Sequence, residues 1–387
     1  QMGSMMSGQI AGLISKEQSC SEIIQELMAE SHEVIQKQLA RFELNEKGNG
    51  EICLFSILPP FFLQRNRRKL MKIAFLFPGQ GSQKAQMGLE IADNFEVAKT
   101  VFEEASTVLS YRVTDILSEE PAARINQTEY TQPLLLTVSH ALASVLKQEG
   151  IIPDVTAGLS LGEYSALVEA GVLDFKEALN LVAKRGQYMQ EAVVEGEGKM
   201  VAVLGLEDNV IEDICREVST PEALVVPSNY NTPGQLVIGG HAEAVDVASE
   251  KCLEAGAKRA VPLVVSGPFH TPLMEAAKVR FAPVMEVAEL HESKCPVLSN
   301  TLGTPHEGVP SKDVLCDQIT NAVKWKQNVE WMLQEGVNVF IEVGPGKTLT
   351  QMVKQIAKAK GASVQLFHTD NLKAVTETIE KVKELKG

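Results

Sequence analysis

After Met71 the chain alternates between short apolar runs and longer stretches whose apolar residues recur three and four apart, a rhythm that predicts strands alternating with helices. Lys72 to Phe77 reads as a buried strand, and Pro78-Gly79-Gln80-Gly81-Ser82-Gln83 as the loop after it. Asp93 to Leu109 and Thr131 to Gln148 read as helices, the second with Pro133 near its first turn. Val155 to Ala157 is a strand, Gly158 to Glu163 a tight corner, and Tyr164 to Val168 a helix ending near Gly171. Asp174 is placed to cap a further helix running through Arg185. The pattern implies a largely parallel sheet covered by helices, an α/β fold.

From Lys199 the order of elements changes. Lys199 to Leu206 predicts a strand, Val210 to Val218 a helix, Leu224 to Ser228 and Gln235 to Gly239 two strands across a Pro-Gly turn, Ala242 to Ala255 a helix, and Arg259 to Val265 a strand. That β-α-β-β-α-β order predicts a ferredoxin-like subdomain over 199–265, inserted into a larger unit made of 71–198 and 266–387. A ligand cleft is expected between the two.

Residues 1–70 have a different character. Gln1-Met2-Gly3-Ser4-Met5 resembles a cloning scar, and a Ser19-x-x-Glu22 capping box opens a helix with Ile24, Leu27, Met28, Ile35, Leu39 and Phe42 on one face. The apolar run from Ile52 to Leu63 is broken by Pro59-Pro60 and is too short to span a bilayer. No grouping with catalytic chemistry occurs there, so 1–70 is expected to be a non-catalytic extension.

Composition narrows the function classes. Of 387 residues, 44% are hydrophobic and 22% charged, as in a soluble globular enzyme. The six cysteines are scattered without a C-x-x-C pair or metal spacing, which predicts reduced thiols, no metal and a cytoplasmic setting. Residues 1–70 carry equal numbers of acidic and basic side chains, so the whole net charge of −14 lies beyond them. Neither nucleic acid nor membrane is an expected partner, and a polyanionic ligand would need a local basic patch.

Ser160, in Gly158-Leu159-Ser160-Leu161-Gly162, has the G-x-S-x-G spacing of a nucleophile elbow, where a strand turns sharply into a helix and lifts the hydroxyl toward backbone N–H donors. An ordinary turn would also fit those few residues. His270, ahead of Thr271-Pro272, is the best-placed base, since the start of a helix disfavours imidazolium; a capping or packing histidine is the plainer alternative. His140, His241, His291 and His306 read as structural or solvated. Arg185 could grip a substrate carboxylate through two hydrogen bonds or merely complement a helix C-terminus. The Gly79–Gln83 loop lacks the features of a phosphate loop but could supply a second oxyanion donor, and Glu342-Val343-Gly344-Pro345-Gly346-Lys347 reads as a tight strand-to-helix turn without a nucleotide motif.

Taken together, Pro78-Gly79-Gln80-Gly81-Ser82-Gln83, the Ser160 elbow with Glu163, Arg185, Gly267-Pro268-Phe269-His270 and Glu342-Val343-Gly344-Pro345-Gly346 resemble, in order and spacing, the malonyl-CoA:acyl carrier protein transacylases over essentially all of 71–387. The resemblance implies an α/β-hydrolase-like large domain beside the ferredoxin-like one. It also implies Ser160 as nucleophile, His270 as base, the Gln318 main-chain carbonyl orienting that base, Gln80 and Leu161 N–H groups as oxyanion hole, Arg185 as ligand of the malonyl carboxylate, and Asn229 and Asn231 in the cleft. The implied reaction is ping-pong, from malonyl-CoA to the phosphopantetheine thiol of acyl carrier protein, in bacterial fatty-acid synthesis, with no cofactor and a monomeric enzyme. Lys184, Lys199 and Lys258 are candidate contacts for the carrier. Leu159 departs from the family, which usually has histidine there, and is expected to alter packing or cleft hydration rather than remove activity. The Gly8–Leu13 segment resembles the tail of a flavin-dependent enoyl reductase of the same pathway. A serine esterase or thioesterase, and a non-catalytic carrier-docking module, are the competing readings.

Overall fold

The computed structural model describes residues 71–387 except 193–195, 266 and 387. The helix and capping box expected within residues 1–70, Cys20 and Cys53, and one predicted subdomain boundary, residue 266, therefore lie outside the described residues.

Strand β1 (Ile73–Phe77) is buried at all five positions because both of its faces are covered. Ile73, Phe75 and Phe77 point into one apolar cluster, and Ala74 and Leu76 into another, as the two-residue period of a strand dictates. Beside it run β2 (Val155–Gly158), β7 (Val339–Glu342) and β8 (Gln365–His368), giving a wholly parallel sheet in the order β2-β1-β7-β8. Helices α4 (Thr128–Gln148), α5 (Leu161–Glu169) and α6 (Phe175–Glu191) supply the first cluster. The other face is covered by α11 (Trp325–Gln334) and α12 (Thr348–Ala359), through Trp325, Val329, Val353 and Ile356.

Several predicted boundaries move for identifiable reasons. The helix expected over Asp93–Leu109 is two helices, α1 (Leu89–Asn94) and α2 (Glu96–Leu109), because Phe95 is extended and its carbonyl starts the second one; the short α3 (Val113–Leu117) follows. Helix α4 begins before Thr131, whose N–H already bonds the Gln127 carbonyl, so Pro133 sits inside the helix. Asp174 caps α6 as expected, accepting from Lys176 N at 2.9 Å and Glu177 N at 3.4 Å, but the helix continues beyond Arg185 to Glu191. Gly186 permits that continuation, since a Cβ there would meet the Thr128 carbonyl of α4 at 2.6 Å.

The second sheet is antiparallel in the order β4-β5-β3-β6, formed by β3 (Gly198–Leu204), β4 (Val225–Thr232), β5 (Gln235–His241) and β6 (Arg259–Pro262). Helices α7 (Asp208–Val218) and α8 (Ala242–Glu254) pack with Val201 and Val203, while Met200, Ala202 and Val237 join the core of the larger unit. β4 runs on to Thr232, past its expected end at Ser228, and so carries Asn229 and Asn231. β6 stops at Pro262, leaving Leu263 and Val265 off the sheet. Short helix α10 (Lys312–Asp317) and helix α9 (Glu275–Glu286) complete the frame around the Ser160 corner.

Candidate active site

Beyond the C-terminal end of β2 the chain turns through Ser160, at φ 54° and ψ −108°, directly into α5. This corner explains the spacing of its two glycines. A Cβ on Gly158 would lie 1.9 Å from the Gly162 carbonyl carbon, and one on Gly162 would lie 2.0 Å from the Phe77 carbonyl oxygen. Both contacts are with backbone, which cannot step aside. Asn300 clamps the corner: its Oδ1 accepts from Ser160 N at 2.6 Å, and its Nδ2 donates to the Gly158 carbonyl at 2.7 Å. The turn alternative left open by the sequence is thus a built elbow with its hydroxyl facing a pocket.

His270 stands over that hydroxyl, with Nε2 2.8 Å from Ser160 Oγ and Nδ1 2.8 Å from the Gln318 carbonyl oxygen. A carbonyl only accepts, so the Nδ1 proton is fixed there and Nε2 is left free to accept from the serine. Burial and the nearby positive charge of Arg185 push the His270 pKa down to about 4, so the ring is neutral at physiological pH. Thr271-Pro272 opens a helix as expected, a 3-10 turn (Pro272–Met274) that runs straight into α9, although the Thr271 hydroxyl does not cap it and donates instead to the Pro268 carbonyl at 2.6 Å.

Arg185 lies in mid-helix and fully buried, which removes the helix-terminus alternative. Its Nη1 donates to Gln132 Oε1 at 2.7 Å, and its Nη2 to Gln318 Oε1 at 2.8 Å and to Ser160 Oγ at 3.2 Å. All three acceptors are neutral oxygens. Among the described residues no carboxylate comes within ion-pair distance of it, and its ring neighbour Tyr164 lies 5.5 Å from the guanidinium carbon. Burial lowers its pKa, opposed by Tyr164 and Glu163.

Ser160 and His270 line a pocket of about 140 Å³ together with Gln80, Gln132, Leu161, Asn229, Asn231 and an apolar wall including Leu159, Met200 and Phe269, while Arg185 is wholly buried and meets it through Ser160 and Gln132. Leu161 is the first residue of α5, so its N–H is one of those without an intrahelical acceptor. Gln80 is tied to α4 through Nε2, which donates to Thr128 Oγ1 at 3.0 Å. Asn231 Oδ1 is buried without a partner, and Asn229 Oδ1 accepts from Ser228 at 3.0 Å. Every expected site residue is therefore brought to one place. Of the lysines expected to meet the carrier, Lys199 is engaged by Asp246, whereas Lys184 and Lys258 are exposed.

Asn300 and Gln132 carry no assignment from the sequence, Glu163 has none beyond its place in the elbow, and His306, read as structural or solvated, bonds Glu163 at 2.8 Å. Gln132 is detectable in principle, as a polar residue beside the apolar Leu134-Leu135-Leu136. The Gly344–Gly346 turn binds inward, not outward: Gly344 N donates to Thr369 Oγ1 at 3.0 Å and Gly346 N to the Asp370 carboxylate. Among the described residues no group of three or more His, Cys, Asp or Glu could hold a metal ion, and no helix is long and apolar enough to cross a membrane.

A serine hydroxyl bonded to a neutral histidine at a helix N-terminus is an arrangement suited to acyl transfer, and the pattern of the acyl transferase domain family matches residues 74–380. The chain belongs to that family and, within it, to the malonyl CoA-acyl carrier protein transacylases. It is 43% identical over 288 residues to the malonyl CoA-acyl carrier protein transacylase of Bacillus subtilis, spanning 74% of this chain and 91% of that protein. With the protein of that name from Escherichia coli K12 the identity is 44% over 296 residues, 76% of this chain and 96% of the relative. Among solved structures, the malonyl CoA-acyl carrier protein transacylase of Clostridium perfringens superposes with a TM-score of 0.78 at 37% identity, covering 81% of this chain and 98% of that one. A malonyl-transacylase in complex with a type II polyketide synthase acyl-carrier protein gives 0.75 at 40% identity, covering 80% and 99%.

Proposed function

We propose that this chain moves a malonyl group from malonyl-CoA to the phosphopantetheine thiol of acyl carrier protein by way of an ester on Ser160. His270 Nε2 takes the serine proton as Oγ attacks the thioester carbonyl, and the N–H groups of Gln80 and Leu161 receive the oxyanion. The C–S bond breaks, and coenzyme A leaves as the thiol with the proton held by His270. The carrier thiol then gives its proton to His270 and attacks the ester, and the proton returns to Ser160 as the malonyl thioester departs. Gln318 keeps the imidazole in its tautomer through its carbonyl, and Asn229 and Asn231 line the path of the pantetheine arm.

The observation that carries the choice of acyl group is Arg185: a fully buried guanidinium, 3.2 Å from the nucleophile, surrounded by neutral oxygens. Such a cation lacks a directly contacting counterion until a ligand brings one, and in a malonyl group a single methylene separates the free carboxylate from the carbonyl that Ser160 attacks. We read the larger unit as α/β-hydrolase-like and 199–265 as ferredoxin-like, a reading supported by the β-α-β-β-α-β sequence of elements. Residues 1–70 are read as non-catalytic, since the family match begins at residue 74.

The test is mass spectrometry of the protein after brief exposure to malonyl-CoA, followed by addition of holo acyl carrier protein. A malonyl adduct on the Ser160 peptide that passes to the carrier, and that is missing in Ser160→Ala, is the expected result. An adduct released as free malonate with the carrier untouched would instead establish a thioesterase.

A further inference from the structure

Beneath the elbow lies a group of buried polar side chains that the proposed reaction does not use. Glu163, on the first turn of α5, is almost wholly buried and accepts three hydrogen bonds: from Gln318 Nε2 at 2.6 Å, Asn300 N at 3.1 Å and His306 Nε2 at 2.8 Å. Gln318 Nε2 also donates to the Ser160 carbonyl at 3.0 Å, while its Oε1 faces Arg185 at 2.8 Å. The amide therefore has only one workable orientation. Flipped, it would set its oxygen against a carboxylate and a carbonyl, and its NH₂ against a guanidinium.

We propose that Glu163 and His306 are positioning residues for acyl-group selection: they lock the Gln318 side-chain amide so that its oxygen holds Arg185 in place for the carboxylate of the incoming acyl group. The amide is a spacer between a buried anion and a buried cation. It lets Glu163 offset the charge of Arg185 at a distance, without the direct ion pair that would occupy the guanidinium edge needed by the ligand. His306 is the third donor to the carboxylate and holds Oε1, leaving Oε2 aimed at Gln318. Gln132 steadies the opposite Nη1, so the guanidinium is held from two sides by neutral oxygens. This inference rests on the malonyl-transfer reading.

The test compares single-turnover acylation of Ser160 by malonyl-CoA and by acetyl-CoA, which lacks the carboxylate. Glu163→Gln keeps the side-chain volume but has a single acceptor oxygen where the carboxylate offers two oxygens to three donors. The malonyl rate should fall about ten-fold, the scale of one charge-assisted hydrogen bond, with the acetyl rate held within about two-fold. His306→Leu should move the same ratio, and His306→Gln, which can still donate to Glu163, should restore it. Gln318→Leu keeps its backbone carbonyl for His270, and in that background Glu163→Gln should cause no further loss. Equal losses for both acyl groups, or effects of Glu163→Gln and Gln318→Leu that simply add, would overturn the proposal and leave the pair a support of the fold. If His306→Leu is too unstable to purify, Glu163→Gln and the double variant decide the matter. Failure of the unaltered protein to form any malonyl ester would overturn the malonyl-transfer reading, and this proposal with it.

Discussion

Acidifying the assay should leave the Ser160–His270 pair working well below the pH at which an ordinary histidine is lost. A free imidazole titrates near 6.5, whereas His270 is pushed down to about 4 by burial first and by the charge of Arg185 second. The difference corresponds to about 3 kcal/mol between the two protonation states, at about 1.4 kcal/mol per unit. At pH 5.5 an ordinary histidine would be about 90% protonated and useless as a base, while His270 would remain about 97% neutral. The assay is kcat/KM for acylation between pH 4 and 8, which reports the free enzyme. Acetyl-CoA, with no carboxyl group of its own, serves as the control for titration of the substrate. The profile should be flat down to about pH 5 and fall below it. Arg185→Gln removes one of the two causes and should shift the fall upward, though not to 6.5, because burial remains. The same shift sets the sign for stability. The unfolded chain binds the proton first, so the His270 contribution is fully present above about pH 6.5 and is lost progressively toward pH 4. An acylation profile that breaks between pH 6 and 7, or one unmoved by Arg185→Gln, would refute the electrostatic account.

Arg185→Ala should lower malonyl acylation about 100-fold, as expected for two lost charge-assisted hydrogen bonds, with a much smaller effect on acetyl acylation; equal loss for both would remove its role as selector. Asn300→Ala leaves Ser160 N and the Gly158 carbonyl without their partner, and should cost about 2–4 kcal/mol in thermal or urea unfolding together with a fall in acylation rate. A chain beginning at Met71 should keep full transfer to the carrier and the same unfolding midpoint, measured side by side with the complete protein; loss of either would give residues 1–70 a function.

The parts of the site that can be read from the sequence are those that depend on local chain geometry. The Gly158–Gly162 corner is one, since its glycines answer to contacts within a few residues of Ser160 and with the neighbouring strand β1. The unbroken apolar run in Ile73–Phe77 is another, because a strand covered on both faces must be apolar throughout. Arg185 is legible as a candidate but not as a buried cation. Its surroundings depend on the close approach of α4 and α6 at Gly186, which no local pattern announces. Asn300 and His306 are illegible for a different reason. They come from the long irregular stretch between α9 and α10, where polar and glycine-containing sequence suggests a solvated loop. That stretch is instead anchored under β2 by the Thr156 and Val297 pairing, so its polar groups are buried where they can reach the elbow. The neutrality of His270 is legible in part, from the helix that opens at Pro272, but its burial and the nearness of Arg185 are not.

Among the described residues only four non-glycine side chains sit at positive φ, and two of them are Ser160 and His270, at 54° and 61°. Each such conformation costs about 1 kcal/mol or more relative to a relaxed backbone. The bonds around them hold that strain in place, Asn300 on the Ser160 backbone and the Gln318 carbonyl on the His270 ring. A substitution far from the pocket that loosens either anchor would let the corner relax, so a stabilised variant of this enzyme has to be sought with turnover and survival scored in the same round.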